Sequence, residues 1–167
     1  YEKLLQYQVK GKFFNVIKSI YSNDQACIKV GDKITECFGV TQGVRQGCIL
    51  SPLLFNIFMA DLPNKLNNIK DCMKIGETKL SYLVWADDVV LFSKTPEGLS
   101  GMLNIMELFC NINKLTINTD KTKCMIFNKT GRLIRQRFYF NTLELENVRS
   151  YKYLGFIGKI FEIYSRE

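Results

Sequence analysis

Apolar positions along the chain fall into blocks whose period changes. In "FFNVIKSIY", Phe13, Val16, Ile17, Ile20 and Tyr21 recur at helical spacing, and Gly11 separates this helix from a shorter amphipathic piece before it. "ACIKVGDKITECF" alternates on both sides of Gly31-Asp32, which predicts a hairpin. "SPLLFNIFMADLPNKL" offers Ser51 as N-cap and Pro52 at the first helical position, and Pro63 is expected to end or kink the helix. Its first turns are apolar nearly all round, so a buried helix is expected. "MKI", "KLSYLVW" and "VVLF" follow, broken at Gly76-Glu77 and at Asp87-Asp88, and predict an antiparallel meander. "TPEGLSGMLNIMELFCNIN" repeats the start signal at Thr95-Pro96 and carries Leu99, Met102, Leu103, Met106, Phe109 and Cys110 on one face. "CMIF" and "RSYKYLGFIG" read as further strands. Helices and strands alternate without the spacing of parallel units, so the expected class is α+β: an antiparallel sheet with helices packed on one face.

Composition narrows the function classes. The 167 residues are 47% apolar and 13% aromatic, enough for one core and one domain, and unlike a disordered tail. The net charge of +7 favours an acidic partner, of which nucleic acid is the commonest. There is no histidine, which excludes His-based triads and His general bases. Six cysteines, Cys27, Cys37, Cys48, Cys72, Cys110 and Cys124, are scattered without a C-x-x-C pair, so a zinc site is not expected. Cys110 and Cys124 lie in apolar segments and read as small core residues. No apolar run is long enough to span a membrane, and no signal peptide opens the chain, so a reducing intracellular setting is the simplest expectation. The chain opens at Tyr1 inside a helical pattern, which reads as a fragment cut at both ends.

Three stretches carry candidate chemistry. "SYLVWADDVVLF" puts Asp87 and Asp88 between two β-prone runs, at or beside a tight turn. In a buried hairpin, paired carboxylates would cost several kcal/mol through repulsion and desolvation. A hard divalent cation removes that cost and can join carboxylates to substrate phosphates. In "TQGVRQGCILSPLLFNIF", Gly43 and Gly47 permit close backbone approach. Arg45 and Gln46 supply donors there, and the helix start that follows favours an anion. In "NTDKTKCMIF", Lys121 and Lys123 alternate as a strand begins, which places both on one side.

Taken in order, "RQGCILSPLLFNIFM", "WADD", "LTINTDKTKCMIF" and "YKYLGFIG" resemble the palm domain of reverse transcriptases, and most closely the non-LTR retrotransposon type. The resemblance runs from about residue 1 to residue 158. It implies a partial polymerase palm and RNA-directed DNA polymerisation, in which a primer 3′-hydroxyl attacks the α-phosphate of a deoxynucleotide on an RNA template. It implies Mg²⁺ as cofactor, two ions in the intact enzyme, with Mn²⁺ as a substitute. By resemblance, Asp87 binds catalytic metal and Asp88 supports metal or primer-end geometry. Trp85 lies near the primer terminus, where the family usually has tyrosine or phenylalanine. Arg45, Gln46 and Gly47 match the motif beside the incoming nucleotide and template. Lys121 matches a proton donor to departing pyrophosphate. Tyr153, Leu154 and Gly155 match the primer grip on the DNA primer.

The same resemblance implies a further catalytic aspartate in an apolar strand upstream of the opening helix. Glu2, Asp24, Asp32 and Glu36 are the upstream candidates, and none lies in such a strand. A thumb is expected after the primer grip, whereas residues 159–167, "KIFEIYSRE", depart from the family and read as a divergent or truncated tail. The rival class is a non-catalytic nucleic-acid-binding relic or domesticated module. A metal-dependent phosphohydrolase is disfavoured by the Gln-Gly…Ser-Pro stretch. An RNA-templated RNA polymerase would share the aspartate pair, but "KTKCMIF" and "YLG" favour the reverse transcriptase. An intracellular protein of nucleus and cytoplasm fits such an element.

Overall fold

A computed structural model describes residues 1–128, 134 and 136–159. Nearly all of the predicted 159–167 tail therefore lies outside the described residues. The chain forms two compact units, residues 1–61 and 62–167.

The first unit holds helices α1 (Glu2–Gln6) and α2 (Gly11–Tyr21), strands β1 (Gln25–Ala26), β2 (Lys29–Val30), β3 (Lys33–Ile34) and β4 (Phe38–Gly39), and helix α3 (Ser51–Met59). The hairpin turns at Gly31-Asp32 as its alternation predicts: Val30 pairs with Lys33, and further out Ala26 pairs with Phe38. The register slips between these rungs because the returning strand carries one extra residue, a bulge. Next to it Cys27 and Cys37 face each other with Cα atoms 4.4 Å apart and are joined as a disulfide. Their spacing in the sequence carries no sign of this pairing, which depends on the hairpin register.

Two expectations for α3 fail. Ser51 is its first residue rather than its cap, because its hydroxyl is given to the backbone carbonyl of Arg45 at 2.6 Å. Nor is the helix buried all round. Among its residues only Ser51 and Met59 are buried, and Leu53 is 57% exposed. α3 stops at Met59, before Pro63. The proline falls instead in the first turn of α4 (Asp61–Leu66), where its missing N–H costs nothing.

The second unit contains β5 (Met73–Ile75), β6 (Thr78–Leu80), β7 (Tyr82–Trp85), β8 (Asp88–Leu91), α5 (Pro96–Asn113), β9 (Lys123–Cys124), β10 (Tyr139–Phe140), β11 (Leu143–Glu144), β12 (Glu146–Asn147), β13 (Ser150–Tyr153) and β14 (Phe156–Lys159). The predicted meander is divided. β5 pairs with β6 and β7 with β8, but Ser81 breaks "KLSYLVW" in two, so the described strands form two-stranded ladders rather than one sheet. Among the described residues of both units, six ladders are antiparallel, and β9 pairs in parallel with β12. "CMIF" contributes only its first residue to a strand, because the partner β12 is two residues long.

The core of this unit gathers around α5. Thr95 caps it, its hydroxyl accepting from the Gly98 N–H at 3.0 Å. A Cβ at Gly98 would run into the Ser93 hydroxyl and Asp71 Cβ, so the first turn is packed too closely for any larger residue. Met102, Leu103, Met106, Phe109 and Cys110 are buried, as their spacing predicts. Leu62, Leu66, Phe138, Phe140 and Leu145 are buried in the same unit, and so is Cys124. Cys110 and Cys124 are thus core residues.

Candidate active site

The two aspartates lie at the tip of the β7–β8 hairpin. Trp85 pairs with Asp88, leaving Ala86 and Asp87 as a two-residue turn with Ala86 at φ +52°. Asp87 is in the turn and Asp88 opens β8. The base of the hairpin is closed by the Phe92 N–H donating to the Ser81 carbonyl at 2.8 Å. This is the predicted turn, but not the predicted burial. Asp87 and Asp88 are exposed, and Trp85 is 67% exposed. The desolvation cost argued from flanking apolar runs is therefore not incurred, because "LVW" and "VVLF" form a ribbon with one partly open face.

Other predicted site residues come to the same unit. β13 and β14 form a second hairpin, with Tyr153 opposite Phe156 and Leu154-Gly155 as its turn, at φ +47° and +86°. Two positive φ values in a two-residue loop are the primed turn that suits strand twist. The phenol of Tyr153 is pushed up by partial burial first and by the negative charge of Asp88 second. Lys121 lies in a turn before β9 and is exposed; its carbonyl accepts from the Tyr151 hydroxyl at 3.1 Å. Lys121 and Lys123 do not share a strand face as expected. Only Lys123 is in β9, and its ammonium pairs with Glu146 at 2.7 Å.

As donors, Asp87 and Asp88 suit a hard divalent ion: they are adjacent carboxylates, open to water and to phosphate oxygens. Among the described residues no group of three or more His, Cys, Asp or Glu could hold a metal. The pair fits part of a donor set. No helix among the described residues is long and apolar enough to cross a membrane.

Arg45, Gln46 and Gly47 belong to the first unit, in the loop between β4 and α3. Gly43 and Gly47 take φ values of +87° and +78°, which a side chain would strain. The loop borders an open recess of about 640 Å³ lined by Asn23, Asp24, Val40, Arg45 and Gln46 among others. Arg45 is not a free donor. Its Nε donates to Asp24 at 2.9 Å, its Nη2 donates to the Ile20 carbonyl at 2.6 Å, and its guanidinium lies over the Tyr21 ring at 5.6 Å. The Asp24 hydrogen bond holds its pKa further up. The Cys48 thiol is pulled down, first by the Leu50 backbone N–H and then by the Tyr21 hydroxyl. That Asp24 and Tyr21 are the partners of Arg45 is something sequence reasoning missed. The usable signal was the hairpin itself: closing it sets Asp24 beside Val40, whose N–H donates to the Asp24 carbonyl at 2.8 Å.

Comparison with known proteins covers almost the whole chain. Residues 1–157 match the family described as reverse transcriptase (RNA-dependent DNA polymerase). A Pol polyprotein from the type-2 retrotransposable element R2DM of Drosophila melanogaster is 29% identical over 93% of this chain and 15% of its own length. A Pol polyprotein from a type-1 element R2 of Nasonia vitripennis is 37% identical over 56% of this chain and 9% of its own length. An RNA-directed DNA polymerase from the mobile element jockey of Drosophila funebris is 26% identical over 87% of this chain and 16% of its own length. The chain thus spans less than a fifth of each of these relatives.

Proposed function

The chain belongs to the reverse transcriptase family, and on that premise we propose that it is the palm part of a non-LTR retrotransposon polymerase that extends a DNA primer on an RNA template. One observation supports the reading at the residues: Asp87 and Asp88 stand exposed at the tip of a two-residue hairpin turn, open to a metal ion and to phosphate oxygens. In this reading Asp87 and Asp88 hold divalent ions, Mg²⁺ or Mn²⁺. Bound there, such ions supply the charge that stabilises the attacking and leaving oxygens of phosphoryl transfer. Trp85 lies by the primer end, Tyr153, Leu154 and Gly155 grip the primer, and Lys121 donates a proton to departing pyrophosphate. Gln46 and Gly47 meet the deoxynucleotide and template. The α+β elements are read as a palm, with residues 1–158 as one reverse transcriptase domain in a protein of nucleus and cytoplasm.

The reading has a positive and a negative arm. The full-length gene product should extend a primer on RNA in Mg²⁺ or Mn²⁺, and Asp87→Ala should abolish it. The 167-residue chain alone should not, because two carboxylates leave the second ion unanchored. Each 1.36 kcal/mol of lost transition-state stabilisation is about tenfold in rate. Extension by residues 1–167 alone, stopped by Asp87→Ala, would overturn this expectation. The net charge of +7 favours a second reading, a module that only binds nucleic acid. Salt-dependent binding of an RNA–DNA duplex, with no extension by the full-length product, would select it.

A further inference from the structure

We propose that Asp24 is a positioning residue for the loop that carries Gln46, acting through Arg45. The proposal rests on the polymerase reading for what the loop does, but not for how the loop is held.

The loop is fixed at Arg45 from two sides. On the side-chain side, Asp24 accepts from Nε at 2.9 Å, the Ile20 carbonyl accepts from Nη2 at 2.6 Å, and Tyr21 lies under the guanidinium. On the backbone side, the Ser51 hydroxyl donates to the Arg45 carbonyl at 2.6 Å. Tyr21 and Ser51 also meet, their hydroxyl oxygens 3.3 Å apart. The bracket therefore closes from the end of α2, through Arg45, to the first residue of α3. Asp24 is its charged anchor. Its side chain is only 15% exposed, whereas that of Arg45 is 44% exposed, so the aspartate is the fixed partner. Asp24 is itself held by the hairpin rung to Val40.

Gln46 is the next residue along and lines the same recess as Asp24 and Arg45. With Arg45 pinned at both its side chain and its carbonyl, the peptide leading into Gln46 has one orientation. Flanking Gly43 and Gly47 would otherwise leave this loop free to take many backbone conformations. The two donors that Arg45 gives to Asp24 and Ile20 are not available to a substrate. Arg45 thus contributes to recognition by fixing its neighbour rather than by contact through those atoms.

A loop ordered in advance does not have to be ordered by the nucleotide, so losing the bracket should weaken binding rather than slow chemistry. In the full-length gene product, Asp24→Asn should raise KM for deoxynucleotide about tenfold, the equivalent of about 1.4 kcal/mol, with kcat nearly unchanged. Asp24→Glu should recover most of the loss. Asp32→Asn, at the exposed hairpin turn, should change neither constant. Amide exchange over residues 43–48 should speed up in Asp24→Asn and slow again in Asp24→Glu. A fall in kcat at unchanged KM would mean that Asp24 only keeps the protein folded, and would overturn the proposal. Unchanged exchange over residues 43–48 would overturn it as well. Absence of extension by the unmutated product would instead count against the polymerase reading, and the exchange arm would still decide whether Asp24 holds the loop.

Discussion

Two helix starts look alike on paper and are built differently. Ser51-Pro52 opens α3 and Thr95-Pro96 opens α5, each with a hydroxyl residue before a proline and an apolar run behind. Thr95 does what that pattern suggests and accepts from the Gly98 N–H. Ser51 sits one residue further in and donates to the Arg45 carbonyl. A hydroxyl can accept or donate, and the choice is made by what lies upstream. Before α5 the chain is a simple connection from β8. Before α3 it is a glycine-punctuated loop in which no residue from 41 to 50 is fully buried, and the Ser51 hydroxyl holds it.

The difference extends to the units the helices belong to. α5 presents a buried stripe, whereas α3 leaves Leu53 largely in water. Phe109→Ala on α5 should therefore cost about 3–5 kcal/mol, the range for an aromatic deleted from a packed core. Leu53→Ala on α3 should stay within about 0.5 kcal/mol. Chemical denaturation followed by amide exchange in each helix would measure both. Equal costs would show that α3 is as well packed as α5.

The cysteines separate the two regions again, with opposite sign. Burial pushes the Cys110 thiol up and pushes Cys124 up to about 11, while hydrogen bonds near the start of α3 pull Cys48 down. The folded second unit keeps the Cys124 proton where the unfolded chain, near 9.0, releases it. Its contribution is fully present below about pH 9 and is lost as pH rises towards 11, on the order of 2–3 kcal/mol. Cys48 works the other way: its contribution is present above the unfolded value and is lost as pH falls through the folded one. Denaturation midpoints of the second unit should fall above pH 9, and Cys124→Ala should flatten that slope. At pH 8, iodoacetamide should label Cys48 before Cys110 or Cys124. Label appearing first on Cys124 would place that thiol outside the core.

How much of this was legible follows the same division. The α5 stripe, its Thr95 cap and the turns at Gly31, Gly76 and Asp87 are local patterns, set by residues within a few positions of one another. They appear where periodicity and turn chemistry put them. Burial of the Asp87 hairpin was misjudged because apolar runs on both sides of a turn do not say whether a second layer covers them. The Asp24–Arg45 bracket and the Cys27–Cys37 bond escaped for another reason. Both join residues brought together by closing a bulged hairpin, and the bulge shifts the register by one. Membership of the family was readable because its motifs are short, local and ordered along the chain.

Exchanging hydroxyls for carboxylates at the two helix starts tests the opening comparison most finely. Thr95→Ala should cost about 1 kcal/mol, the usual loss of a cap, and should speed exchange at Gly98. Thr95→Asp should restore protection, because aspartate accepts from the same N–H as well as threonine does. Ser51→Ala should cost about 0.5–1.5 kcal/mol, the net worth of one hydrogen bond, and its exchange signature should lie over residues 45–48 rather than within α3. Here aspartate cannot rescue. It has no proton to give to the Arg45 carbonyl, and Ser51 is buried, so a carboxylate would face that oxygen without a donor. Ser51→Asp should therefore be worse than Ser51→Ala, while Thr95→Asp should be better than Thr95→Ala. Rescue by aspartate at both positions would show that Ser51 is a cap after all, and that the loop before α3 is held by something other than its hydroxyl.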